Sequence, residues 1–120
     1  MEWTVVKKIS TPDFDIEAGA ATIGEDILLY IQGGDKPHIG CTVMAVPRPS
    51  RSGHGERSVT SSVMNLTGHT DESICRMLAD DVCRTCGQRV VCIVGVHWHD
   101  ITADEVNDVR LAAEQLETML

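Results

Sequence analysis

The longest apolar segment of the chain runs from Val90 to Val96 and contains only valine, isoleucine, cysteine and one glycine. A run of this kind, rich in β-branched residues and without alternation, is typical of a central strand buried on both faces. The chain then turns polar, with His97, His99 and Asp100 following closely. This pattern predicts a central strand whose carboxyl end carries candidate site residues.

Alternation of apolar and polar residues predicts five strands before the central one. The second and third of them are close in sequence and should form a hairpin. Pro47 is expected to end the fourth strand because proline has no N–H to pair, and residues 47–56 are then expected to form a loop. The expected strands cover residues 3–9, 14–20, 27–32, 38–46 and 57–66.

Two helices are predicted, one on each side of the central strand. Thr70 is a suitable N-cap with two acidic residues behind it, and Gly87 is the expected residue after the helix end. Thr102 begins a capping-box pattern for the second helix. We therefore predict an α/β fold with a mixed, mostly antiparallel six-stranded sheet and two helices, in a single domain over residues 1–120.

The overall charge excludes some partners. Ten basic residues stand against eighteen acidic ones, for a formal net charge of −8. Nucleic acids and anionic membranes bind proteins through lysine and arginine, so neither is an expected partner. No apolar run has the length of a membrane span, and the first ten residues lack a signal-peptide core. Together with an odd number of cysteines, five, this predicts a reduced, cytoplasmic protein.

The predicted topology brings three histidines to one edge of the sheet. The connection from the fifth strand through the first helix is long enough for a parallel crossover, so the fifth and central strands should end at the same edge. His69 follows the fifth strand, His97 ends the central strand, and His38 precedes the antiparallel fourth strand. Imidazoles are common ligands of Zn²⁺ and Mn²⁺, so these three predict a divalent metal site, with Asp100 as the nearby carboxylate.

The opposite edge of the sheet is expected to be basic. Arg48, Arg51 and Arg57 flank the loop that contains His54. The hydroxyls of the fifth strand are open to two interpretations, an exposed sheet face or a row that faces a ligand. The helix N-termini open at the histidine edge, where an anion such as phosphate would be favoured.

Cys83 and Cys86 form a single CxxC motif. One such pair does not make a zinc site. The motif lies near the end of the predicted helix, where the helix dipole disfavours a thiolate, so a redox role is not expected.

Three segments resemble a known family, the D subunit of bacterial gallate decarboxylase, which is also described as the LpdD-like prenylated-flavin chaperones. They are GGDKPHIG at 33–40, NLTGHTDE at 65–72 and GVHWHDIT at 95–102, and the resemblance covers the chain from about residue 25 onward. The third segment departs from the family pattern, which is closer to GIHIDNAT, so that His99 stands where the family has aspartate. The resemblance implies a fold similar to proteasome-assembly chaperones, usually dimeric.

The resemblance also implies a function beside UbiD-like decarboxylases, which need prenylated flavin mononucleotide (FMN). The chain would bind prenylated FMN, or FMN, and deliver it to such a decarboxylase without catalysing the reaction itself. A twofold homodimer would place the arginine loop of one subunit against the histidine edge of the other, and thereby supply positive charge for the flavin phosphate. The expected cofactor contacts are Arg48, Arg51, Ser58, Thr60, Ser62, Gly68, His69 and Thr70.

Two other functions also fit these residues. A metal-dependent enzyme would use His38, His69 and His97 to activate water. A pure assembly chaperone would bind no ligand, and its histidines would be structural.

Overall fold

The computed structural model describes residues 3–10, 15–34, 38–49, 57–65 and 69–97, together with positions 111 and 114. Six strands and one long helix fall within these ranges. Their bounds are β1 Trp3–Ser10, β2 Asp15–Ile23, β3 Asp26–Gly34, β4 Cys41–Pro49, β5 Arg57–Asn65, α1 His69–Cys86 and β6 Val90–His97. Leu111 and Glu114 are helical, and the rest of the predicted second helix lies outside the described residues.

The strands form one mixed sheet in the order β1-β2-β3-β6-β4-β5. β3 and β6 are parallel, and the other described pairs are antiparallel. The predicted hairpin between β2 and β3 is confirmed. β6 lies in the interior of the sheet, between β3 and β4, as its apolar run predicts. The mixed, mostly antiparallel α/β class is therefore confirmed.

The predicted crossover is also confirmed. β4 is antiparallel to both β5 and β6, so β5 and β6 run in the same direction and α1 connects them. α1 begins at His69, one residue before the predicted cap Thr70. It ends as predicted before Gly87, which has a φ of 70° and donates its N–H to the Cys83 carbonyl at 2.8 Å.

Pro47 does not end β4, and that prediction is wrong. β4 runs on to Pro49 and stays paired with β5 over this stretch, so Arg48 lies in a strand rather than in a loop. β4 pairs with β6 only as far as Ala45, and the residues beyond have a neighbour on one side alone. Proline is tolerated at such an edge because the N–H it lacks has less pairing to lose.

The core lies on one face of the sheet, which α1 covers at β4, β5 and β6. α1 contacts β4, β5 and β6, and its buried residues recur at the helical period. Leu78 is fully buried there, and burial of such a side chain contributes roughly 1.5–3 kcal/mol. The core consists of Ile16, Ala18, Ala20, Leu29, Ile31, Cys41, Val43, Ala45, Ile74, Cys75, Leu78, Ala79, Val82, Cys83, Val90, Cys92, Val94 and Val96.

The other face of the sheet, called the open face below, is not covered by α1. Val91 and Ile93 lie on it and are only half-buried. β6 is therefore fully buried on one face only, whereas its apolar run predicts burial on both. Adjacent positions in register share this face. It includes Glu17, Gly19, Leu28, Tyr30, Gln32, Thr42, Met44, Val46, Ser58, Thr60, Ser62, Met64, Val91, Ile93 and Gly95.

The five cysteines are free thiols, and four of them are buried. Cys75 of α1 donates its S–H to the carbonyl of Cys92 at 3.1 Å and lies 3.7 Å from that of Cys41. Hydrogen bonding with Cys92 and burial raise the pKa of the Cys75 thiol far above its usual range. The thiol therefore stays protonated and ties α1 to β4 and β6.

Candidate functional site

The histidine edge of the sheet is built from four strand ends. The ends of β3 and β6 meet there, with Gly34 opposite His97. β4 begins at the same edge, since Cys41 is paired with Val94 on one side and with Asn65 of β5 on the other. The backbones of His38, three residues before β4, and His69, at the start of α1, therefore lie at the same edge as that of His97.

A close backbone contact holds His38 at this edge. The His38 carbonyl lies directly over Gly95 of β6, where a Cβ atom would collide with it. Gly40 adds a hydrogen bond from its N–H to the Val94 carbonyl at 3.0 Å. Residues 38–40 are consequently packed onto β6 before β4 begins, three residues later than its predicted start. Only glycine at position 95 permits this approach.

A groove of about 580 Å³ opens on the open face beside His38. Leu28 and Ile93 provide an apolar floor, and Ile39, 64% exposed, forms a wall. Tyr30 lies in the middle, with its ring over Gly19 of β2, where a Cβ would overlap the ring. The groove is lined by Glu17, Leu28, Tyr30, Ile31, Gln32, His38, Ile39 and Ile93.

Three polar side chains form a connected group along one side of the groove. The Gln32 amide Nε2 donates to the Glu17 carboxylate at 2.6 Å. Burial, followed by a hydrogen bond to Glu17, raises the pKa of Tyr30 to about 12. Lys8 lies 4.0 Å from Glu17 and offsets part of its charge. Tyr30 is therefore a neutral phenol at physiological pH.

The arginine edge lies at the other end of β4. Arg48 is opposite Ser58, seven residues along the strand from Cys41, a distance of about 24 Å. Its Nε donates to the Thr60 hydroxyl at 2.9 Å. Two predicted cofactor contacts, Arg48 and Thr60, thus lie together, far from the histidine edge of their own chain. Ser58 and Ser62 share the open face with them, and Ser62 is exposed.

The remaining predicted site residues are only partly described. Backbone positions are described for His69, Thr70 and His97, but their side chains are not. Arg51, His54, Gly68, His99 and Asp100 lie outside the described residues. Within the described part of the chain, no three histidine, cysteine, aspartate or glutamate side chains are grouped to hold a metal ion.

The junction between β5 and α1 is held by side chains at the histidine edge. Asn65 donates its amide to the Glu72 carboxylate at 3.1 Å, and Glu72 pairs with Arg76 at 3.2 Å. Glu72 lies in the first turn of α1, where the helix dipole stabilises a negative charge. This contact links the end of β5 to the first turn of α1.

A protein-family model matches most of the chain. The model of the prenylated flavin chaperone LpdD-like domain matches residues 10–120. The chain belongs to this family. The resemblance drawn from the three sequence segments is confirmed, and the match extends it to β2 and most of the chain. None of the curated proteins matches the LpdD-like chain significantly.

A solved structure shares the fold. It is the crystal structure of a novel chaperone complex for yeast 20S proteasome assembly, matched with a TM-score of 0.59 at 14% identity. The match covers 98% of the LpdD-like chain and 95% of the other chain. At this identity the similarity concerns the fold, which the resemblance to proteasome-assembly chaperones predicts. In the described part of the chain, no helix combines the length and apolar character needed to cross a membrane.

Sequence reasoning missed the groove and one buried polar contact. Tyr30, Glu17 and Gln32 stand on different strands, and only the register between β2 and β3 brings them together. Asp80 of α1 faces Ser61 of β5, and its Oδ1 is buried without a hydrogen-bond partner. Burial raises the pKa of Asp80. The spacing of Asp80 along α1 was the available signal, because it lies three residues from both Met77 and Cys83, which pack in or against the core.

Proposed function

We propose that this chain binds prenylated FMN, or FMN, and delivers it to a UbiD-like aromatic acid decarboxylase such as gallate decarboxylase, as a non-catalytic accessory protein in the cytoplasm. The family match over residues 10–120 carries the proposal. The groove beside His38 supports it, because it combines an apolar floor with hydrogen-bonding side chains, as small-molecule sites commonly do.

A divalent cation at the histidine edge is the second part of the proposal. The backbones of His38, His69 and His97 lie at this edge of the sheet, and imidazole is a common ligand of Zn²⁺ and Mn²⁺. Such a cation would attract the flavin phosphate at the edge where α1 also begins. Chelation should then weaken cofactor binding without unfolding the protein.

The third part of the proposal is a homodimer that shares the site. Arg48 lies about 24 Å from the histidine edge of its own chain, too far to help bind a phosphate there. Two open faces packed against each other bring the arginine edge of one chain to the histidine edge of the other, provided that the twofold axis runs across the strands. Met44 and Met64, 48% and 74% exposed, offer apolar surface on that face for such a contact.

Titration of the purified protein with prenylated FMN, with and without EDTA, tests the first two parts. We expect saturable binding that the chelator weakens. The cofactor-loaded protein, mixed with the cofactor-free decarboxylase, should then restore decarboxylase activity faster than free cofactor does at the same concentration. A protein that binds neither prenylated FMN nor FMN would contradict the proposal and favour a ligand-free assembly chaperone.

Mixing two variants tests the shared site. Arg48→Ala and His97→Ala each damage one half of every site, so each homodimer should bind weakly. After subunit exchange, about half the dimers are mixed, and each mixed dimer has one intact site, which restores about a quarter of the wild-type capacity. A mixture that binds no better than its components, despite exchange shown by mass spectrometry, would place the site within one chain.

A further inference from the structure

The groove lies where the fold places two parallel strands side by side. β3 and β6 are the parallel pair among the described strands, and both end at the histidine edge. In open α/β sheets, ligands bind in crevices outside the carboxyl ends of such strands. The groove runs over Tyr30 and Ile93 towards His38, so it leads from the open face to that edge.

The shape of the groove suits a flat ligand. Gly19 has no side chain, so the ring of Tyr30 lies against the backbone of β2 instead of standing upright. Leu28 and Ile93 extend the same surface as apolar side chains at neighbouring register positions. Aromatic groups stack in offset arrangements on such surfaces, and the exposed Ile39 closes one side.

The polar side of the groove has a definite order of donors and acceptors. Glu17 accepts from both the Gln32 amide and the Tyr30 phenol, so the second N–H of Gln32 is the donor and the Glu17 carboxylate the acceptor that a ligand meets. A ligand edge with an acceptor next to a donor is complementary to this pair. The pyrimidine edge of an isoalloxazine, with its two carbonyls around an N–H, has that order.

We propose that this groove holds the isoalloxazine ring of the flavin, stacked on Tyr30 with its pyrimidine edge towards Gln32 and Glu17. This inference rests on the proposed function and assigns the ring to residues of β2, β3 and β6. Arg48 of the same chain is about 20 Å from Tyr30 along the strands, farther than a ribityl chain extends. The ribityl chain therefore extends out of the groove in the other direction and places the phosphate at the histidine edge.

A matched pair of substitutions tests the ring position. Ile39 and Ile23 are exposed to 64% and 61%, but Ile39 lines the groove and Ile23 lies at the opposite edge. The probes are FMN and lumiflavin, which has the ring but no phosphate. We expect Ile39→Asp to weaken binding of both probes about tenfold or more, whereas Ile23→Asp changes neither by more than about twofold.

Tyr30→Phe provides a second measurement that does not depend on added charge. It keeps the ring and the fold but removes the hydroxyl that donates to Glu17 and helps to position that carboxylate, so affinity for both probes should fall about fivefold. Tyrosine quenches flavin fluorescence on stacking, so bound FMN should also be brighter in the variant than in the wild type. Circular dichroism and urea unfolding confirm that each variant is folded.

The outcomes separate the ring position from the proposed function. If the wild type binds FMN while Ile39→Asp and Tyr30→Phe bind both probes as well as it does, the groove is not the ring site and the proposed function stands. If the wild type binds no FMN, prenylated FMN or lumiflavin, both fail. Loss of binding in Ile23→Asp equal to that in Ile39→Asp would show a charge effect, and it would overturn the assignment of the ring to the groove.

Discussion

Replacement of Gly95 by alanine should separate residues 38–40 from β6. The added Cβ would overlap the His38 carbonyl, and that oxygen would have to retreat by about 2 Å to reach ordinary van der Waals separation. Neither side can relax by rotating a side chain, because the opposing atoms belong to the backbone. The hydrogen bond from Gly40 to Val94, 3.0 Å long, should be lost at the same time.

The cost follows from these two contacts. Overpacking of a well-packed site costs about 1–3 kcal/mol, and the net loss of one hydrogen bond adds about 0.5–1.5 kcal/mol. We therefore expect the free energy of unfolding to fall by about 2–4 kcal/mol. For a chain of 120 residues this corresponds to a Tm about 8–16 °C lower. Because His38 lines the groove, affinity for FMN should fall as well.

Urea unfolding followed by circular dichroism measures this loss, with Gly24→Ala as the matched control. Gly24 has a φ of 60° in the turn between β2 and β3, and a Cβ added there would meet no other atom within 4 Å. Alanine at this position incurs only the left-handed backbone penalty, about 1–2 kcal/mol, and should leave FMN binding unchanged. A Gly95→Ala variant no less stable than Gly24→Ala would refute the close approach of residues 38–40 to β6.

Three further predictions concern titratable groups. Burial raises the pKa of Asp80 in the folded state, so its charge lowers stability above the unfolded pKa. Asp80→Asn should therefore stabilise the protein at pH 7 by less than about 1 kcal/mol and lose that advantage below about pH 3.5, as urea unfolding at the two pH values would show. The control Asp81→Asn should not stabilise the protein at either pH. The pKa of Tyr30 is raised to about 12 in the folded state, so the folded state favours the neutral phenol. The free energy of unfolding should therefore fall as the pH rises above about 10, and it should fall less in Tyr30→Phe. Urea titrations across that pH range measure both. The double variant Cys83→Ser, Cys86→Ser should bind FMN like the wild type, although burial of a hydroxyl at position 83 lowers its stability. A folded double variant that does not bind FMN would show that the thiols act in the site.

Periodicity and connection lengths were sufficient to derive much of the sheet. The apolar run of β6 predicts a central strand, and the length of the β5–α1–β6 connection predicts its direction. Both follow from local rules that hold wherever the strand is placed. The end of β4 could not be derived in the same way, because Pro47 is acceptable only where β6 no longer pairs with β4. That depends on the relative lengths of two strands far apart in sequence.

The candidate site shows a similar division. The histidine edge follows from topology, since it needs only the directions of β4, β5 and β6. The groove needs the lateral register of β2, β3 and β6, which sets Gln32 opposite Glu17 and Tyr30 opposite Gly19. A shift of one residue would turn these side chains to the other face. The two-residue turn between Ile23 and Asp26 sets the register of β2 against β3, but the sequence has no local feature that sets β6 against β3.

The distribution of the thiols allows local unfolding of the protein to be followed by their accessibility. Cys41, Cys75, Cys83 and Cys92 are buried on β4, α1 and β6, and Cys86 is half-buried at the end of the helix. A thiol-specific alkylating reagent should therefore modify Cys86 first and reach each of the others only when its element separates from the core. Peptide mass spectrometry over a time course would read the order of these events. Alkylation of the wild-type chain, without any added label, would thus show which elements open when a cofactor or a partner binds.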